Sequence, residues 1–167
     1  MSSGDDAFAQ LIAQVGWPNG KGTRDLARWL GAFAQIAGQR GAPELAALAD
    51  AVVRDPDNPD GLYDLGFALI EAEVPRLAAT VLWRCMELVG DSEQVVSELV
   101  SALELALANA DAVALLEARD GLRSQSALCQ YLYAFNAAMI GRLDVTRAAL
   151  ARLRAQLAER DPGGAHA

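Results

Sequence analysis

Two cysteines, Cys85 and Cys129, and one histidine, His166, are the side chains of this 167-residue chain best suited to nucleophilic, acid–base or metal chemistry. A catalytic thiol needs a basic neighbour or a helix N-terminus to lower its pKa. Both cysteines sit instead among apolar residues in helical patterns, which predicts buried, reduced thiols rather than a disulfide or a metal site. Arg84 adjoins Cys85 in sequence, but successive helical side chains point apart. His166 falls in a tail, Asp-Pro-Gly-Gly-Ala-His-Ala, without apolar periodicity, so no histidine-based triad, zinc cluster or positioned base is expected. The carboxylate pairs Glu71 with Glu73 and Glu98 with Glu104 read as solvated helix faces, with nothing to single out a raised pKa. Residues 16 to 23, Gly-Trp-Pro-Asn-Gly-Lys-Gly-Thr, superficially resemble a phosphate-binding loop, but the glycine spacing is one residue short. An amphipathic helix precedes that loop where the mechanism needs a strand, so an inter-helix loop with Thr23 as N-cap is expected. These residues predict no cofactor, no metal and no enzymatic activity.

The elements that carry these residues are helical. Apolar residues recur at spacings of three and four, β-branched alternation is absent, and turn signals punctuate the chain every ten to seventeen residues. Breaks at Asn58-Pro59, Glu73-Val74-Pro75, Gly90-Asp91-Ser92, Asn109-Ala110-Asp111, Gly121 and Gly141 predict six helices between residues 58 and 160. With 53% hydrophobic residues and no run of eighteen apolar ones, the chain can fill a core but holds no membrane-spanning segment. The acidic start Met-Ser-Ser-Gly-Asp-Asp is unlike a secretory signal, which makes the cytoplasm the expected address. A formal charge of −8 argues against nucleic acid as partner, because phosphate binding rests on clustered Lys and Arg. Lys21 is the one lysine among 14 basic residues, and this bias, with abundant alanine, suggests a GC-rich bacterial genome.

A constant offset of 34 residues relates Leu65, Leu99 and Tyr133, and likewise Leu69, Leu103 and Ala137. It also relates Ala78, Ala112 and Thr146, then Leu82, Leu116 and Leu150. Within the first of these copies, Leu62, Leu65, Gly66 and Leu69 resemble the first-helix signature of the tetratricopeptide repeat family. Ala78 and Leu82 resemble the small and large positions of its second helix, where a small residue lets two helices cross closely. Gly141-Arg142-Leu143-Asp144 stands where the family commonly places an inter-helix glycine. The middle copy departs, with Val100 for Gly66 and Arg119 for Cys85. One step further back, Leu48, Ala51 and Pro56 align with the end of a repeat. Its first helix, about residues 24 to 38, puts either Gln35 or, after a one-residue shift, Ile36 in the column of Leu69.

The resemblance implies an all-α, right-handed α-α superhelical solenoid of helical hairpins over residues 24 to 160, with repeats at about 25–58, 59–92, 93–126 and 127–160. Residues 1 to 23 would form an N-terminal capping helix and loop, with Phe8, Leu11, Ile12 and Val15 on one face of residues 5 to 15, and 161 to 167 a disordered tail. In that family the fifth and ninth positions of each first helix point into the concave surface. Carried onto this sequence, those positions are Tyr63 and Phe67, Ser97 and Ser101, then Tyr131 and Phe135. Backward extension adds Trp29 and Phe33, so six of ten aromatic residues fall in two columns. Ile36, Ile70, Glu104 and Ala138 extend the face by a turn.

This pattern implies a protein-interaction module, an adaptor or scaffold whose groove accepts a peptide or helix bearing apolar and basic residues. The aromatics read equally as ordinary repeat packing, or as a groove filled by residues 5 to 15 of the same chain. A small-molecule receptor or accessory subunit, with the groove closed around Glu104, is an alternative. A structural homo-oligomer is another. In the last helix, residues 144 to 160, Val145, Ala149, Leu153 and Leu157 are expected to pack inward and Arg147, Arg154 and Gln156 to face solvent, with homodimerisation through that end.

Overall fold

A computed structural model describes residues 25–160, and among these the backbone forms nine α-helices and no strand. The helices are α1 Leu26–Gln39, α2 Pro43–Arg54, α3 Pro59–Glu71, α4 Pro75–Val89, α5 Glu93–Leu105, α6 Asn109–Glu117, α7 Asp120–Gln125, α8 Ala127–Met139 and α9 Leu143–Arg160. None of them is long and apolar enough to cross a membrane. The capping helix expected at residues 5 to 15, the glycine-rich loop with Thr23, and the tail with His166 lie outside the described residues.

Local chemistry sets the ends of these helices. Pro43, Pro59 and Pro75 open α2, α3 and α4, where a missing N–H costs nothing. The Asn58 side chain caps α3 by accepting from the N–H groups of Asp60 and Gly61 at 3.1 and 3.2 Å. Ser126 caps α8 through the Cys129 N–H at 3.0 Å. Three helices stop with the same pair of bonds about a left-handed residue. After α3, Val74 N–H reaches Leu69 O at 2.9 Å and Glu73 N–H reaches Ile70 O at 3.0 Å. Gly41 after α1 and Gly141 after α8 hold the same position, with φ of 80° and 76°. Glu73 and Leu107 adopt it without the freedom of glycine, at 56° and 59°.

The 34-residue offset recurs in the backbone. α3, α5 and α8 begin at 59, 93 and 127, and each is 13 residues long. α4, α6 and α9 begin at 75, 109 and 143, and the left-handed residues at 73, 107 and 141 share the spacing. The first hairpin departs by two residues: its left-handed position is Gly41, so α1 runs on through Gln39 before turning. Along α2 the buried positions are correspondingly Ala49 and Val52, one place on from the expected Leu48 and Ala51.

The expected break at Gly121 is a correction. Gly121 lies inside α7, and the interruption falls at Ala118 and Arg119, which gives seven helices rather than six between residues 58 and 160. Arg119 leaves the helical region at φ −122°, ψ 50°. The buried Arg123 then turns back to donate to Leu116 O at 2.8 Å, taking up a carbonyl near the end of α6. The break expected at Asn109 also moves, since Asn109 begins α6 and Leu107 makes the turn.

The chain divides into two compact units, one ending at Ala106 and the other beginning at Leu107. In the first, α1 packs on α2, α2 on α3, α3 on α4, and α4 on α5. Its core is leucine-rich, with Leu30, Leu62, Leu65, Leu69, Leu77, Leu82, Leu99 and Leu103 fully buried. α3 and α4 meet closely at Gly66, where an added Cβ would lie 2.5 Å from Leu82 Cγ. In the second unit α8 is central and packs against α6, α7 and α9. Tyr133 donates to Glu117 Oε1 at 2.9 Å, the same oxygen that Arg142 reaches at 2.7 Å, and the Arg123 guanidinium lies 4.1 Å from the Tyr133 ring centroid. Gln130 donates to Ala149 O at 2.9 Å and ties α8 to α9. Of the twelve column residues, Thr146 is half-buried and Leu150 exposed, both on α9; the others are buried.

Candidate functional site

The columns expected to line a groove divide by burial. Trp29 and Phe33 belong to the core of the first unit, 5% and 1% exposed, and offer no wall to a partner. This corrects the backward extension of the repeat frame: Gly41 stands 32 rather than 34 residues before Glu73, which shifts by two the register on which their placement rested. On α3, four residues apart, Tyr63 is half-buried and Phe67 is 45% exposed, with Ile70 half-buried one turn beyond. On α5, Ser97, Ser101 and Glu104 are all half-buried. The serine hydroxyls donate within their own helix, Ser97 to Gln94 O and Ser101 to Ser97 O, each at 3.0 Å, which leaves them free to accept but not to donate outward.

The second unit carries the most apolar exposed surface of the two columns. Tyr131 and Phe135 stack on α8 with ring centroids 6.3 Å apart and planes at 25°, and they are 49% and 40% exposed. Leu128 and Met139, also exposed, continue the line by one turn at each end. The opposite face of α8 buries Cys129, Leu132, Tyr133, Asn136 and Ala137. Among the described residues, α8 therefore carries apolar side chains on its outward as well as its inward face. Sequence reasoning missed Leu128 and Met139. Stepping the Tyr131 and Phe135 columns three residues back and four forward reaches both. The equivalent steps reach Asp60 and Glu71 on α3 and Gln94 and Leu105 on α5, so the same register changes from acidic to polar to apolar along the chain.

Phe67 also lines a cleft in the first unit, of about 660 Å³, with Leu45 and Leu48 of α2, Ala68, and the carboxylates Glu44 and Glu71. Among the described residues that line it none is basic.

Burial is what the two candidate nucleophiles share. Cys85 and Cys129 are both buried as thiols. Burial, and then the negative charge of Asp60, push the Cys85 thiol above its usual value, while its Sγ donates to Pro59 O at 3.4 Å. Arg84 turns to Asp57 at 2.6 Å and Glu87 at 3.2 Å and does not activate the thiol. Glu98 differs from the sequence reading of a solvated carboxylate, because partial burial on α5 raises its pKa. Among the described residues no group of three or more His, Cys, Asp and Glu side chains is placed to hold a metal. On α9, Gln156 is turned inward rather than outward and donates to Arg123 O at 2.6 Å, whereas Leu157 is exposed where inward packing was expected.

No protein-family model matches the chain, and no curated protein matches it.

Proposed function

We propose that this chain is a tetratricopeptide-like repeat protein, a right-handed superhelical solenoid that serves as a non-catalytic adaptor and binds a partner peptide or helix along its first-helix face. The repetition of helix starts and left-handed turn residues at 34-residue spacing supports the repeat reading. One observation carries the binding reading: among the described residues, every exposed aromatic side chain, Phe67, Tyr131 and Phe135, occupies the two groove columns. Aromatic anchors of this kind supply most of the affinity at protein interfaces. The net charge of −8 favours a partner that is locally basic, with binding that weakens as salt rises.

The test compares affinity capture from the native host by the wild-type chain with capture by two double variants, Tyr63→Ala with Phe67→Ala and Tyr131→Ala with Phe135→Ala. Circular dichroism checks their folding. Loss of a specific set of captured proteins by the folded variants is the expected result; unchanged capture removes the groove reading. A structural homo-oligomer is favoured by a different observation, the exposed Leu143, Leu150 and Leu157 at seven-residue intervals along α9. Light scattering across protein concentration, with Leu150→Glu as control, separates that reading from a monomeric adaptor.

A further inference from the structure

The cleft beside Phe67 combines features that neither an apolar pocket nor an acidic surface has alone. Its walls are aliphatic and aromatic, from Leu45, Leu48, Phe67 and Ala68, and its two ionisable side chains, Glu44 and Glu71, carry the same sign. Glu71 is the last residue of α3, at the negative end of the helix dipole, and the last turn of that helix holds no basic residue. A carboxylate there is disfavoured by its own helix. Glu44, by contrast, lies in the first turn of α2, whose positive end offsets its charge. The uncompensated negative potential of the cleft is therefore concentrated at Glu71. Both carboxylates are exposed and keep their hydration at the rim of the cleft, where they repel an anion and attract a cation.

We infer that this cleft receives the side chain of an arginine or lysine from the partner segment, with the aliphatic stem against Leu45 and Leu48 and the cationic head toward Phe67 and Glu71. The inference rests on the peptide-binding reading above and adds the chemistry of one anchor residue. A long basic side chain is the natural occupant because it buries methylenes while keeping its charge at the rim. An aromatic face beside a carboxylate holds a guanidinium by both cation–π attraction and charge-assisted hydrogen bonding.

The experiment uses the full chain and N-acetyl-leucyl-arginine amide as probe, followed by methyl and aromatic NMR signals of Leu45, Leu48 and Phe67. The neutral isostere is the same dipeptide with citrulline. Saturable shifts with the arginine probe are expected, with the citrulline probe weaker by about tenfold. Glu71→Gln should remove most of that difference, and Glu44→Gln less. Equal binding of the two probes, absence of saturable shifts, or an affinity unchanged in the Glu44→Gln, Glu71→Gln double variant would each overturn the assignment. Binding of n-butylguanidinium as tight as that of the dipeptide would overturn the choice of a peptide as its source. The Tyr131→Ala, Phe135→Ala variant leaves this cleft intact, so its loss or retention of partner capture tests the groove reading independently of the probe.

Discussion

Gly66 and Gly31 are both interior helical glycines, and their surroundings give substitution at the two sites opposite signs. At Gly66 a methyl group would meet Leu82 Cγ at 2.5 Å, and Leu82 is fully buried, so it has no free volume to enter. Alanine there gains helix propensity of about 1 kcal/mol but overpacks the α3–α4 crossing by about 1–3 kcal/mol. Gly31 on α1 has nothing within 4 Å of the position a Cβ would take. Gly66→Ala is expected to lower the urea midpoint, whereas Gly31→Ala is expected to raise stability by about 0.5–1 kcal/mol. A raised midpoint for Gly66→Ala would show that the crossing is looser than its geometry implies. The close crossing was foreseen in sequence, but with Ala78 as the small residue that permits it. The structure buries Ala78 fully and adds Gly66 on the facing helix as a second small residue at that crossing.

The left-handed residues that end the helices behave as a series, since Gly41, Glu73, Leu107 and Gly141 do the same backbone work with different side chains. Leu107 is 87% exposed, so its side chain contributes no burial to offset its φ of 59°. A left-handed L-residue costs roughly 1–2 kcal/mol, and the extra unfolded-state freedom of glycine returns about 0.5–1 kcal/mol of that. Leu107→Gly should therefore stabilise the chain by about 0.5–1 kcal/mol, and Gly141→Leu should destabilise it although no atom stands within 4 Å of the new Cβ. Thermal melts of the two variants moving in the same direction would rule out the backbone as the cause. The starts of α3 and α4 were legible in sequence because Asn58, Pro59 and Pro75 announce them and the leucine columns set the period. The break at Ala118–Arg119 was not legible, since both residue types favour helix and the interruption is accompanied by the tertiary turn of Arg123 onto Leu116 O. The burial of Trp29 and Phe33 was hidden for a related reason: the turn at Gly41 stands two residues off the 34-residue step back from Glu73, which shifts every assignment on the helix before it.

At the scale of the whole molecule, Glu117 and Asp120 in the second unit and Glu98 in the first are perturbed with opposite sign, which gives the chain an uneven response to acid. In the second unit Glu117 is held below the usual carboxylate range, first by the hydrogen bond from Tyr133 and then by Arg142, and Asp120 is lowered by Arg152. A carboxylate with a depressed folded pKa contributes stability above its unfolded pKa, about 4.3 for Glu, and loses it as pH falls through the folded value. In the first unit burial raises Glu98, so the folded state there binds its proton more tightly than the unfolded chain. Its charge is a cost at neutral pH that disappears once pH drops below about 4.3. Glu117→Gln is thus expected to destabilise at pH 7, modestly because the pair is partly solvated, and Glu98→Gln to stabilise at pH 7. Both variants should converge on the wild type in strong acid, from opposite sides. Urea titrations at pH 7 and at pH 3 would measure the convergence. Amide exchange in α8 and α9 of the wild type should lose protection on acidification before α3 and α4 do, because the lowered carboxylates lie in the second unit and the raised one in the first. Simultaneous loss in all four helices would mean that the two units open together and that the charge asymmetry does not govern acid unfolding.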